Sequence, residues 1–258
     1  MFLIPIGDDN SDRQIVPVVN YILICLNIIV FIFWQGWGFN DAMSSSITFA
    51  YAVVPGEILT GNDIITESRT VLDPITHQSF TMPGLGRTPV PVFFTLFTSM
   101  FLHGGFAHLL GNMLYLWIFG DNLENKMGHA RYFMFYMFAG MLAGLCHVFS
   151  TFLLNQDLLI PVMGASGAVS ALLGGYILLF PSRRVRLWFV LFSLRIPAFI
   201  VVGSWFIFQV LNGLGILGGE EAGGIAYAAH IGGFIVGLLF TKMFIKKSAE
   251  DFRKSRTR

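Results

Sequence analysis

Ser166 stands within Gly164-Ala165-Ser166-Gly167-Ala168, at the start of an apolar run that ends at Pro181. Inside a membrane a lone hydroxyl costs free energy unless it is bonded or used, so this serine is the first candidate for chemistry. A serine hydroxyl is a poor nucleophile until a base takes its proton, and imidazole is the side chain best matched to that task near neutral pH. His230, in Ala229-His230-Ile231-Gly232-Gly233, lies in a second apolar run. A third opens with His103 and carries His108 and Asn112 four residues apart. On a helix that spacing puts both donors on one face, where they could bind a developing oxyanion. No Asp or Glu occurs in the runs of Ser166 or His230, so the pattern is a dyad and the reaction class is hydrolysis through an acyl-enzyme.

These residues need a scaffold. The chain has 258 residues, 55% of them hydrophobic and 12% charged, with a mean hydropathy of +0.69; ordinary soluble domains are roughly 25% charged. The expectation is an all-α polytopic membrane protein. Six stretches are apolar enough to cross a hydrocarbon core of about 30 Å, at residues 17–38, 104–123, 131–153, 164–180, 194–216 and 223–245. With the N-terminus inside, 14 of the 16 Lys and Arg residues are cytoplasmic, and only Arg69 and Arg87 are external. That asymmetry places both termini in the cytoplasm. It also puts Ser166, His230, His108 and Asn112 in the outer half of the membrane. The first twenty residues hold Asp8, Asp9 and Asp12 against Arg13 and do not read as a cleaved signal peptide.

Small residues suggest how the candidates meet. Ala229, Gly233 and Gly237 recur every fourth residue, and Ser166, Ser170 and Gly174 do the same with Gly167 and Ala171 beside them. Two such stripes let helix backbones approach closely, and packing them together would bring His230 to Ser166. The external segment between the first two spans is too long for a mere connection. Its last part, Val90 to Leu102, contains Pro91 and is expected to lie in or on the outer leaflet. The basic stretch from Lys246 to Arg258 reads as a solvated anchor beside anionic lipid.

The motifs resemble those of rhomboid intramembrane serine proteases: Gly-x-Ser-Gly at Gly164 to Gly167, His-x4-His-x3-Asn at His103, His108 and Asn112, and Ala-His-x-x-Gly-x-x-x-Gly at Ala229, His230, Gly233 and Gly237. The resemblance implies a single membrane domain over 1–258: a six-transmembrane-helix bundle with a cytoplasmic segment at 1–16, a membrane-associated external loop at 39–103 and a basic cytoplasmic tail at 246–258. It implies that Ser166 is the nucleophile and His230 the general base and acid. His108 and Asn112 become part of the oxyanion hole, and Gly164, Gly167, His103, Gly233 and Gly237 supporting motif positions. No cofactor or metal is called for. The expected partners are the lipid bilayer and membrane-anchored proteins cut in or near their transmembrane segment, not nucleic acid. The expected location is the cell (inner) membrane, with the site open to the external face through a polar cavity lined by His103, His108, Asn112, Ser166 and His230.

Three positions depart from the family pattern. Phe94 and Thr95 stand where Trp-Arg is frequent, and Ser170 where many members carry an aromatic against the catalytic histidine. The loop around Gly218, Gly219, Gly223 and Gly224, with the outer end of the fifth span, is the expected lid. His147 reads as a satisfied interior histidine, His77 and His129 as loop and turn residues, and Cys25 and Cys146 as small core residues. The alternative function is a non-catalytic factor that grips transmembrane helices. A solute or metal transporter would need paired intramembrane carboxylates or internal repeats; Asp121 has no partner aspartate in another span, and no repeat is seen.

Overall fold

The structure is a computed structural model and describes residues 4–36, 48–72, 79–189, 192–215 and 226–246. Among the described residues, six apolar helices form the bundle. Helix α1 is Val18–Ile29, prolonged by a π-helical turn Val30–Trp34. The external segment holds α2 (Pro55–Thr60) and, after a 3-10 turn, α3 (Thr95–Thr98). Then follow α4 (Phe106–Met127), α5 (His129–Leu153), α6 (Ser166–Leu179), α7 (Ala198–Gly213) and α8 (Tyr227–Phe244). Of these, α5 and α8 are individually long and apolar enough to cross a bilayer, and α4 joins them if paired with Val92–Phe101, from which it is bent by 81°. The helices Val18–Trp34, Ser166–Leu179 and Ala198–Gly213 are shorter than the spans expected of them.

Helix α6 lies at the centre. Gly167 to Tyr176 are all buried, and α6 packs on α8, α5, α4 and α7. The small-residue stripes permit this. A methyl group at Gly233 would overlap the carbonyl oxygen of Gly167, one at Gly237 that of Ala171, and one at Gly174 that of Phe234. The backbones of α6 and α8 therefore touch, as the spacing led us to expect.

Strands add to the helical fold. An antiparallel sheet in the order β1-β4-β5 joins Ile4–Gly7 (β1) to the hairpin Arg184–Phe189 (β4) and Phe192–Pro197 (β5). This corrects the fifth span: residues 194–197 belong to a strand, and the helix starts after Pro197, whose missing N–H suits a helix start but not its interior. A second hairpin pairs Arg69–Leu72 (β2) with Ser79–Met82 (β3) in the external segment. That segment is also organised by Glu57, 1% exposed, whose carboxylate accepts from the N–H of Ile64 at 3.1 Å and the hydroxyl of Thr88 at 3.4 Å. The proposed lid glycines and the tail beyond Lys246 lie outside the described residues.

The N-terminal segment is clamped to the base of the bundle. Asp8 accepts from Tyr176 of α6 and, at 2.8 Å, from Asn122 of α4. Arg183 pairs with Asp12 at 2.8 Å, and Arg13 with Asp121 at 3.2 Å. Glu124 of α4 caps α1. Pro17 gives α1 no side-chain cap, and the Glu124 carboxylate accepts the first-turn N–H groups of Val19 and Asn20 at 3.0 and 2.8 Å.

Candidate active site

Three segments converge on Ser166. Val53 and Val162 bond reciprocally across an isolated bridge, and Gly164 N–H donates to Ser99 O at 2.9 Å. These bonds fix the backbone just before α6. Ala165, its N-cap, makes no side-chain capping bond, so the first-turn N–H groups have no intrahelical acceptor. Ser166 is the first residue of that turn.

Across the contact with α8, His230 Nε2 lies 2.8 Å from Ser166 Oγ, and His230 Nδ1 lies 2.8 Å from Gln209 Oε1 on α7. Trp205 and Tyr227 flank the imidazole with ring centroids 6.2 and 6.4 Å away. Neither Gln209 nor Trp205 was singled out from the sequence. The available signal was weak: Gln209 is one of two amides, with Asn212, in a mostly apolar helix, four residues after a tryptophan.

His108 approaches from the first turn of α4. Its Nδ1 accepts from the N–H of Gly104 at 3.3 Å, which leaves the neutral ring's proton on Nε2. That nitrogen is packed on Gly164. A Cβ at Gly164 would fall 2.9 Å from it, and the φ of +126° there is one that side chains rarely adopt. Glycine is thus required at 164 twice over, by conformation and by space. Asn112 shares the His108 face but donates its amide to His108 O at 3.0 Å. His103 is 1% exposed, stacks edge-on against His108 at 5.2 Å, and has both backbone groups bonded by the Gln35 amide at 2.9 Å. These backbone bonds tie the segment before α4 to the end of α1, and both ring nitrogens of His103 are buried without a hydrogen-bond partner among the described residues.

A cavity of about 40 Å³ adjoins Ser166, walled by α5, α6, α8, the external segment and the loop before α6, including Val53, Ser99, Met100, Gly144, His147 and Val162. His103, His108, Asn112 and His230 are not among the residues that line it. His147 is correspondingly not a fully satisfied interior residue: Nε2 lies 3.3 Å from Thr151 Oγ1, and Nδ1 is buried without a partner.

Ser170 also differs from a stacking partner. Its hydroxyl donates to Ser166 O at 2.6 Å.

The family model for the rhomboid domain matches residues 91–247. The chain is 33% identical over 159 residues to Rhomboid protein 1, mitochondrial, of Saccharomyces cerevisiae, an alignment covering 61% of this chain and 43% of the yeast protein. It is 33% identical over 144 residues to RHOMBOID-like protein 4 of Arabidopsis thaliana, covering 56% and 32% respectively. With Rhomboid protease GluP of Bacillus subtilis the identity is 32% over 143 residues, covering 55% and 24%. The chain spans less than half the length of each of these relatives.

Proposed function

This chain belongs to the rhomboid family, a multi-pass membrane protein, and on that premise we propose that it is a serine endopeptidase cutting membrane-anchored proteins in or near their transmembrane segment. The single observation that supports this reading is the 2.8 Å contact between Ser166 Oγ and His230 Nε2, made by side chains on two helices whose backbones touch.

In this mechanism His230 Nε2 takes the Ser166 proton as Oγ attacks the scissile carbonyl carbon. The carbonyl oxygen gains the charge, and His108 Nε2–H with the free N–H groups of the α6 first turn stabilises it. Asn112 joins only after exchanging its bond to His108 O. His230 then passes the proton to the leaving amide nitrogen, giving the amine and an ester at Ser166. Water, deprotonated by His230, hydrolyses the ester and restores the serine. The scissile carbonyl of a helical substrate is held in an i to i+4 hydrogen bond, so substrates with weak helix formers such as Gly near the cut are favoured. The basic-residue asymmetry supports a topology with both termini in the cytoplasm and the site near the external face.

The test is mass spectrometry after fluorophosphonate treatment of the full chain in detergent and in lipid. Modification of Ser166 in the wild type, absent from Ser166→Ala and His230→Ala, is the expected result. An unmodified, folded wild type in both media would replace this reading with a non-catalytic factor that binds transmembrane helices.

A further inference from the structure

We propose that Gln209 is a positioning residue for the base: its side-chain carbonyl holds the His230 imidazole in the one tautomer that can accept the Ser166 proton. This rests on the proposed hydrolytic function and deepens it.

Two contacts run in series. Gln209 Oε1 lies 2.8 Å from His230 Nδ1, and His230 Nε2 lies 2.8 Å from Ser166 Oγ. A carbonyl oxygen only accepts, so Nδ1 must carry the proton. A neutral imidazole has one N–H, which makes Nε2 the acceptor and the Ser166 hydroxyl the donor. Without a partner at Nδ1 the ring is equally free to carry its proton on Nε2. It would then donate to Ser166 Oγ and could not act as base.

No other described neighbour supplies this constraint. Ser170, one turn after Ser166, is committed to Ser166 O. Trp205 and Tyr227 bound the ring with aromatic surface, and an indole N–H only donates. Trp205 and Gln209 are four apart on α7, so a single helix face supplies both a wall and an acceptor. Gln209 is 6% exposed in a helix otherwise rich in Ile, Val and Phe. An amide buried there is costly unless bonded, and His230 satisfies its carbonyl oxygen. An amide also orients the ring without placing a second charge in the membrane, where an ionised carboxylate is expensive. It stabilises the transient imidazolium less than a carboxylate does.

The experiment uses the full chain in detergent and in lipid, with ¹⁵N-labelled histidine and His230→Asn to assign the His230 signals. The expected wild-type spectrum has the proton on Nδ1. Gln209→Met, of similar length but lacking the acceptor, should give mixed tautomers. It should slow Ser166 phosphonylation and kcat on a transmembrane reporter by about tenfold or more, the weight of one hydrogen bond, with KM unchanged. Gln209→Glu keeps an oxygen at the same place and should recover most of the loss. A proton on Nε2 in the wild type overturns the proposal, as does Gln209→Met reacting at the wild-type rate. So does a folded Gln209→Glu as slow as Gln209→Met, since position 209 would then only fill space. If wild-type protein shows the Nδ1 tautomer yet never reacts at Ser166, the hydrolytic function fails and the hydrogen bond stands, so the two failures are distinguishable.

Discussion

Gly233 of α8 lies against the carbonyl oxygen of Gly167 in α6, so close that a methyl group at 233 would overlap it. Gly167 follows Ser166 and Gly233 is three residues after His230, so this backbone contact sets the distance between hydroxyl and imidazole. Neither backbone can yield by a rotamer change.

Gly233→Ala should therefore push α8 away from α6. Overpacking costs roughly 1–3 kcal/mol, and Ser166 phosphonylation should fall with the thermal transition. Gly111→Ala on α4 is the control, because a Cβ there has nothing within 4 Å. Equal transitions and equal labelling in the two variants would show that the contact does not position the site.

What could be read in advance follows from how local the information is. Ser166, His230, His108 and Asn112 stand in short motifs, and the every-fourth-residue spacing of Gly and Ala implied the α6 and α8 contact. Gln209 was missed because it meets His230 across 21 residues from another helix, and nothing near it in the chain points there. Asp8 and Tyr176 are 168 residues apart, beyond any local pattern. The fifth helix starts later than its apolar run suggests because Leu194 and Ile196 are apolar in a strand as in a span, and only Pro197 marks the boundary.

The cavity beside Ser166 bears on substrate choice. Its volume of about 40 Å³ holds a few waters, at roughly 10–15 Å³ for one, or a small side chain. Reporter transmembrane segments with Ala or Ser before the scissile bond should be cleaved about tenfold or more faster than those with Phe or Trp, a discrimination of about 1.4 kcal/mol. Side-by-side kcat/KM measurements check this, and equal values would mean that the cavity does not receive the substrate side chain.

Asp8 gives the base of the bundle a pH dependence. Burial pushes its carboxyl up to about 7 from an ordinary 3.8, against the opposing hydrogen bond from Tyr176. Between those values the folded chain holds a proton that the unfolded chain has lost. The contribution is thus complete below about pH 4 and disappears as pH rises through about 7. Asp8→Asn, neutral throughout, should gain thermal stability relative to wild type on going from pH 4.5 to pH 8. A difference between the two proteins that stays constant over this range would contradict the assignment.

Substitution of Glu124 separates stability from reactivity. Glu124 is fully buried and caps α1 from α4, sixteen residues from His108, or about 24 Å along the helix at 1.5 Å per residue. Glu124→Ala leaves the Val19 and Asn20 N–H groups without their acceptor, at a cost of roughly 1–3 kcal/mol for each buried donor. Its thermal transition should drop well below that of wild type, with Glu124→Gln, which retains one acceptor oxygen, in between. Well below those transitions, all three proteins should react with fluorophosphonate at the same rate, because the cap touches no group at the site. Loss of labelling in folded Glu124→Ala would instead mean that the seating of α1 is coupled, through Gln35 and its two bonds to His103, to the imidazole of His108.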